Sequence, residues 1–252
     1  MIIDKYLRNS IADGKMVSLP RIGIIGGTGE EGSALAIRFA NFDFSVYIGS
    51  RSRAKSESKA EELKRLFPEK RDKIHGATNK SAFNESDVVF ITIPYLGLRE
   101  VVDSILNQPT KKLIVDVVVP YKMEAPLMLG NEQLKRYRET FTIGKSPSVT
   151  EEIDLYIQST FGYKPHLVGA FKTISHRLVR DIFRVFEKPI LIWGFRLEDK
   201  KRLIATINRA FPYAMVYEVP QIYWRSVEGV CEFVREATLR GAGISALNFS
   251  YR

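Results

Sequence analysis

The chain has 252 residues, 45% of them hydrophobic, which is enough for a buried core in one large domain or in a large domain plus a small one. No apolar run approaches the roughly 20 residues that cross a bilayer, and charged residues interrupt the first part of the chain, which argues against a secretory signal core. The single cysteine, Cys231, fits a reducing compartment. We therefore expect a cytoplasmic protein.

The formal net charge of +9 favours anionic partners. Basic residues are interleaved with acidic ones, as on solvated helix surfaces, and no nucleic-acid-binding motif accompanies them. We expect a small-molecule partner, with no nucleic acid and no membrane.

Apolar runs and helical patterns alternate along the chain after an N-terminal extension over residues 1–20. Strands are predicted at Ile22–Ile25, Ser45–Ile48, Asp87–Ile93, Lys112–Val119, His166–Ile174, Ile190–Trp193 and Ala214–Val219. Helices are predicted at Ser33–Asn41, Ala54–Phe67, Leu98–Leu106, Asp199–Ala210 and Trp224–Leu239, with another around Gln133–Tyr137 inside a long charged connection over residues 121–148.

This alternation is typical of an α/β fold with buried parallel strands. We predict a Rossmann-like, doubly wound, mainly parallel sheet with a small helical C-terminal part. The predicted NADP-binding domain covers residues 21–195, and a smaller region for substrate and dimer contacts covers residues 196–252.

A glycine motif follows the first predicted strand. Residues Gly27, Gly29 and Gly32 fit GxGxxG between a strand and an apolar-periodic helix. The first glycine permits a tight turn, the second admits a pyrophosphate, and the third lets the helix pack closely on the strand. The helix N-terminus would then face the phosphates, which predicts a dinucleotide site.

The end of the second strand indicates which dinucleotide is bound. An NAD-binding domain places an acid there to hold the ribose hydroxyls, whereas this chain has Ser50 and Arg51, with Lys55 one helical turn further on. A hydroxyl and two cations suit a 2′-phosphate, so NADP is predicted over NAD. The alternative is an exposed basic turn in an NAD enzyme.

Six short motifs, in this order and spacing, resemble the NADPH-dependent reductases of the deazaflavin coenzyme F420. They are Gly26-Gly27-Thr28-Gly29, Gly49-Ser50-Arg51, Ile91-Thr92-Ile93-Pro94-Tyr95, Ala170-Phe171-Lys172-Thr173-Ile174, Ser226-Val227-Glu228-Gly229 and Gly241-Ala242-Gly243. The similarity covers residues 21–249.

This resemblance implies the following site. The NADP-binding positions are Thr28, Glu30, Glu31, Ser50, Arg51 and Lys55, and the positions near the nicotinamide are Tyr95, Arg99 and Val119. The deazaflavin is expected between the strand that carries Lys172 and Ile174 and the C-terminal segment that carries Ser245, and a homodimer is implied. The chain departs from the family pattern at Lys172, where the family has His, and at Ser175-His176, where it has Pro-Ala.

The implied reaction is a direct hydride transfer from nicotinamide to deazaflavin, which requires ring stacking and exclusion of water rather than an acid or base. We therefore name no certain catalytic residue, and the substrate-side candidates are Lys172, Ile174, His176 and Ser245. No metal is expected, because His75, His166 and His176 lack metal-ligand spacing. Cys231, Trp193 and Trp224 are expected in the core.

The leading hypothesis is an NADP-dependent oxidoreductase that transfers hydride between NADP(H) and F420. One alternative is an NADPH-dependent reductase of another acceptor, such as a flavin, a ferric chelate or a small imine or ketone. Another is a non-catalytic NADP-binding sensor.

Overall fold

A computed structural model describes residues 11–12, 15–16, 18–120, 128–140 and 146–239 of the chain. The predicted site residue Ser245 and the Gly241-Ala242-Gly243 motif lie outside the described residues. None of the helices in these ranges is long and apolar enough to span a membrane.

The centre of the molecule is an eight-stranded sheet with the order β8-β7-β6-β5-β4-β1-β2-β3. The strands β1 to β6 run parallel, β7 is antiparallel to β6, and β8 is parallel to β7. Their bounds are Ile22–Ile25 (β1), Val46–Ser50 (β2), Ile74–Thr78 (β3), Val88–Ile91 (β4), Leu113–Asp116 (β5), Leu167–Ala170 (β6), Ile190–Gly194 (β7) and Val216–Glu218 (β8). A separate hairpin pairs two antiparallel strands of two residues each, Ile11–Ala12 and Lys15–Met16.

Helices connect the strands and lie on both sides of the sheet. They are Glu30–Asn41 (α1), Arg53–Leu66 (α2), Asn79–Glu85 (α3), Leu98–Ile105 (α4), Asn131–Thr140 (α5), Val149–Phe161 (α6), His176–Arg180 (α7), Leu197–Ala210 (α8) and Trp224–Leu239 (α9). Short 3₁₀ turns occupy Pro68–Lys73, Tyr95–Gly97 and Gln221–Tyr223.

Alternate residues of the central strands belong to two different cores. In β4, Val88 and Phe90 pack with α1, α2 and α8 on one face, while Val89 and Ile91 pack with α3, α4 and α6 on the other. A parallel sheet covered on both faces explains why its strands read as continuous apolar runs. The predicted doubly wound, mainly parallel α/β fold is confirmed.

The structure also contains elements that the sequence patterns did not predict. The strand β3 is an edge strand with the sequence Ile-His-Gly-Ala-Thr and is mostly half-buried, so it lacks the apolar run of the central strands. The helices α3, α6 and α7 were also not predicted. The helix α6 had a recognisable start signal, since Ser148 and Glu151 form a complete capping box.

The sheet extends beyond residue 195, because β8 hydrogen-bonds to β7. The division of the chain into regions 21–195 and 196–252 stays a prediction.

Candidate functional site

The glycine turn connects β1 to α1 at the carboxyl edge of the sheet. Gly26 has φ +80°, and a Cβ atom there would lie 2.7 Å from Cγ2 of Ile93. The tight turn therefore depends on Gly26 rather than on Gly27, the first glycine of the motif. At Gly27 a Cβ would lie 2.9 Å from Cγ2 of Ile48, so this position is closed to side chains for a different reason.

The two later glycines have different surroundings. A Cβ at Gly32 would lie 2.6 Å from Oγ1 of Thr92 and 2.7 Å from the Gly26 carbonyl oxygen, so this glycine allows α1 to pack against the turn. At Gly29 the nearest atom is the Gly26 oxygen, at 3.4 Å. Gly29 caps α1 without a side-chain hydrogen bond, which leaves the helix N-terminus open to an anion.

The basic corner after β2 lies beside this turn. The Gly27 N–H donates to the Gly49 carbonyl at 2.8 Å, which ties the turn to the residue before Ser50. The Ser50 hydroxyl accepts from the Ser52 N–H at 3.2 Å, so its own proton can still be donated. Arg51 is exposed at the surface.

Three cations of α2 have carboxylate partners on the same helix. Arg53, Lys59 and Lys64 each pair with a glutamate on the same helix. In the part of the chain that the structure describes, neither Arg51 nor Lys55 pairs its side chain with a carboxylate. These two positive charges are therefore available to an anion.

Asn79, the first residue of α3, is a site residue that the sequence analysis missed. Its Oδ1 accepts from the Gly26 N–H at 3.3 Å, and a Cβ at Gly49 would lie 2.9 Å from the same atom. This side chain therefore wedges between the turn and β2. Its position after the unpredicted strand β3 explains why it was overlooked.

The two acidic residues of the first turn of α1 have different environments. Glu30 is exposed, and its carboxylate is 3.8 Å from Nδ1 of His176. The Oε1 atom of Glu31 is buried without a hydrogen-bond partner, and burial raises the pKa of this carboxyl to about 8. A neutral Glu31 adds no negative charge beside the anion site at neutral pH.

Of the three residues expected near the nicotinamide, Tyr95 follows β4, Val119 follows β5, and Arg99 lies in the first turn of α4. The Tyr95 hydroxyl donates to Glu152 Oε2 at 2.6 Å and is buried. The Arg99 guanidinium lies over the Tyr156 ring and 3.9 Å from the Asp103 carboxylate. Both of these partners are on helices, α6 and α4, that cover the same face of the sheet. Val119 is half-buried.

On the substrate side, the structure places Lys172 inside the protein. Its Nζ lies 2.6 Å from Asp116 Oδ2 and 2.5 Å from Glu228 Oε1, and none of the three side chains is exposed. Since the Lys172 side chain is not exposed, a ligand could contact this amine only after the surrounding side chains move. Burial raises the pKa of Glu228 to about 7, although Lys172 acts in the opposite direction.

The other substrate-side candidates lie close by. Ile174 is buried and closes a turn onto the Phe171 carbonyl. His176 begins α7, which packs along α1, and its contact with Glu30 places it next to the glycine turn.

The remaining candidates have structural surroundings. His166 directly precedes β6, and its Nδ1 is 2.8 Å from the carboxylate of Asp199 on α8. The ring of His75 stacks on the ring of Tyr47. Trp193 and Trp224 are buried, as expected. Burial raises the pKa of the Cys231 thiol to about 12, which makes it a poor nucleophile. The described residues contain no cluster of three or more potential metal ligands.

Comparisons with known proteins show which proteins this chain resembles. Residues 21–120 match a family described as NADP oxidoreductase, coenzyme F420-dependent. The F420-dependent NADP reductase of Methanocaldococcus jannaschii is 27% identical over 75% of this chain and 79% of its own length. The protein of the same name from Methanothermobacter thermautotrophicus is 36% identical, over 41% of this chain and 45% of its own length.

Solved structures share the fold at lower sequence identity. A proposed F420-dependent NADP reductase from Arthrobacter sp. FB24 has a TM-score of 0.65 at 18% identity and covers 93% of this chain and 100% of its own. An imine reductase from Myxococcus stipitatus in complex with NADP⁺ has a TM-score of 0.54 at 18% identity, covering 88% of this chain and 63% of its own. Over most of its length the chain is therefore similar to the F420-dependent NADP reductases, which confirms the resemblance that the sequence motifs indicated.

Proposed function

We propose that this protein is an oxidoreductase that transfers hydride between NADP(H) and coenzyme F420. The observation that carries the proposal is the 2.8 Å hydrogen bond from the Gly27 N–H to the Gly49 carbonyl, because it places the corner that carries Arg51 and Lys55 beside the glycine turn. A turn that admits a pyrophosphate next to a corner that suits a 2′-phosphate is the pair of features that NADP requires.

The residues of the chain have distinct tasks in this function. The amides around Gly29 and the N-terminus of α1 bind the pyrophosphate, while Ser50, Arg51 and Lys55 bind the 2′-phosphate. Tyr95 and Val119 lie at the exits of adjacent strands and hold the nicotinamide end in the crevice. When bound, NADPH supplies the hydride, so the protein needs to orient two rings and exclude water.

We propose that the deazaflavin binds next to residues that follow β6. Ile174 offers a buried apolar surface, and His176 reaches the first turn of α1. Together with Ser245, these residues form the proposed deazaflavin side.

The test of the function is stopped-flow mixing of the NADPH-loaded protein with F420. We expect loss of NADPH absorbance in step with reduction of F420, and no comparable rate with free flavin, ferric citrate or a cyclic imine. Rapid turnover of another acceptor with F420 ignored would contradict the proposal in favour of a different reductase. Tight NADPH binding without turnover of any acceptor would favour a sensor.

We also propose that the protein is a homodimer through the surface formed by β8 and the residues around α9. Among the strands that the structure describes, β8 is at the edge of the sheet with no strand on its outer side, and large apolar side chains are exposed on and around it. These are Tyr213, Met215, Tyr217, Ile222, Tyr223, Val230 and Phe233. An open sheet edge among exposed apolar side chains is a surface that monomers avoid.

Sedimentation equilibrium tests the dimer. The wild-type protein is expected at twice the chain mass, and Tyr217→Glu combined with Phe233→Asp is expected to shift it to the monomer. A matched pair of charges at Phe183 and Val185, which are exposed elsewhere, should leave the mass unchanged. A monomeric wild-type protein would refute this assignment.

A further inference from the structure

A fully buried charge cluster lies where three elements meet at the carboxyl edge of the sheet. Asp116 ends β5, Lys172 follows β6, and Glu228 belongs to α9. The two carboxylates bind the same ammonium at 2.6 Å and 2.5 Å. Burying three charges is costly unless each is paired and hydrogen-bonded, so their remaining contacts indicate what the cluster does.

Each carboxylate of the cluster also fixes a piece of backbone or a helix start. Asp116 Oδ1 accepts from the Val118 N–H at 2.9 Å, and its Oδ2 accepts from Thr150 Oγ1 at 2.7 Å. Glu228 accepts from the Val149 N–H at 2.9 Å. The cluster therefore holds both the exit of β5 and the first turn of α6.

The turn that delivers Lys172 inward is strained. Phe171, immediately before it, has φ +61°, a left-handed conformation that is unfavourable for a bulky residue. Such a conformation persists where the surrounding structure requires it. Here it directs the lysine into the protein.

The first turn of α6 also holds Tyr95, the other residue that we propose against the nicotinamide. Glu152 accepts from the buried Tyr95 hydroxyl at 2.6 Å and from the Met128 N–H at 2.7 Å. The α6 start thus connects Tyr95 on one side to Val118, the neighbour of Val119, on the other. Both residues that the proposed function puts against the nicotinamide are fixed by way of α6 or the charge cluster.

We propose that Lys172 is a positioning residue for hydride transfer, which acts through Asp116 to fix the backbone at Val118 on which the nicotinamide end rests. It does not touch the substrate. This role rests on the proposed function and deepens it. It also gives Lys172 a place in the reaction that does not depend on contact with the deazaflavin.

The test is a double variant, Lys172→Met with Glu228→Gln, in the full chain. It removes the ammonium and one of its two carboxylates together, so the formal charge of the protein is unchanged, and Asp116 keeps its hydrogen bonds from the Val118 N–H and Thr150 Oγ1. The control is Lys112→Met, which removes a lysine that binds the Asn84 and Ser86 carbonyls at the opposite end of β5.

The double variant is expected to bind NADPH with an affinity within about threefold of the wild type, while kcat falls roughly ten- to hundredfold, since small misplacements of the ring cost this much. The isotope effect with [4-²H]NADPH should rise, and the emission of bound NADPH should shift. The control should retain the wild-type kcat, isotope effect and emission even if its melting temperature falls.

The outcomes separate the two proposals. A folded double variant with wild-type kcat and emission would overturn the positioning role, and so would a loss of affinity and kcat that only follows a loss of folded protein. If the wild type binds NADPH but does not reduce F420, the hydride-transfer function fails, and the emission of bound NADPH alone decides whether Lys172 positions the ring. If the wild type binds no NADPH, both proposals fail.

Discussion

At the scale of single residues, the geometry distinguishes side chains that look alike in the sequence. Arg51 and Arg53 are both exposed basic residues in the same turn, yet among the described residues only Arg53 has a carboxylate partner, Glu57. Gly29 and Gly32 belong to the same motif, but only Gly29 has space for a Cβ atom. Neither distinction can be read from residue type alone, because both depend on atoms brought together by folding.

The variant Arg51→Asp should weaken NADPH binding roughly a hundredfold, since it replaces a charge-assisted contact with repulsion of the 2′-phosphate. NADH affinity should stay the same or improve. Fluorescence titration with both nucleotides measures this, and Arg53→Asp is the matched control. Equal losses in both variants would show that only the general positive potential matters.

Alanine at the two glycines should produce different defects. Gly29→Ala should keep the free energy of unfolding within about 1 kcal/mol of the wild type, because its backbone suits alanine, but should lower NADPH affinity by occupying the approach of the phosphates. Gly32→Ala should lose stability as well. Urea unfolding and nucleotide titration separate the two effects, and a destabilised Gly29→Ala would contradict this prediction.

At the scale of elements, α6 organises the candidate site although the sequence patterns did not predict it. Its first turn binds Asp116 through Thr150, Glu228 through the Val149 N–H, and Tyr95 through Glu152. The capping box of Ser148 and Glu151 was visible in the sequence. The residues that this turn gathers were not, because they are far apart along the chain.

The variant Ser148→Ala should lower the free energy of unfolding by about 1–2 kcal/mol, since the buried hydroxyl caps α6 and also contacts Glu151. Urea denaturation measures the change. Ser104→Ala, which removes an exposed hydroxyl that donates to the Val101 carbonyl within α4, should cost less than about 0.5 kcal/mol. Equal losses in both variants would argue against the importance of the cap.

At the scale of the whole molecule, buried carboxyls make stability depend on pH. Burial raises the pKa values of Glu31 to about 8 and of Asp154 to about 6. Each has a carboxyl oxygen that is buried without a hydrogen-bond partner. In the unfolded chain both groups titrate near pH 4, so over the interval between these values the folded protein holds protons that the unfolded chain has lost.

The free energy of unfolding should therefore fall as the pH rises from about 5 to about 8, by up to about 1.4 kcal/mol per pH unit for each carboxyl. Urea unfolding across this range measures the slope. Glu31→Gln should remove the Glu31 contribution to this slope up to about pH 8, and Asp154→Asn the Asp154 contribution up to about pH 6, since each amide has no proton to lose. The raised pKa of Glu228, about 7, contributes to the slope in both variants. A stability that rises with pH in both the wild type and the variants would contradict the prediction.

The amino-acid sequence by itself determined the order of most strands and helices, the glycine turn and the basic corner, because these depend on local periodicity and on residues close together in the chain. It also carried the resemblance that the comparisons confirm. Only the tertiary structure decided that Gly26 makes the turn, that Asn79 supports it, and that Lys172 is enclosed by Asp116 and Glu228. Asp116 and Glu228 are each 56 residues from Lys172 in the chain, so these charges meet only when the sheet assembles. In a protein interior of low polarity, a charge is tolerated only when it is paired.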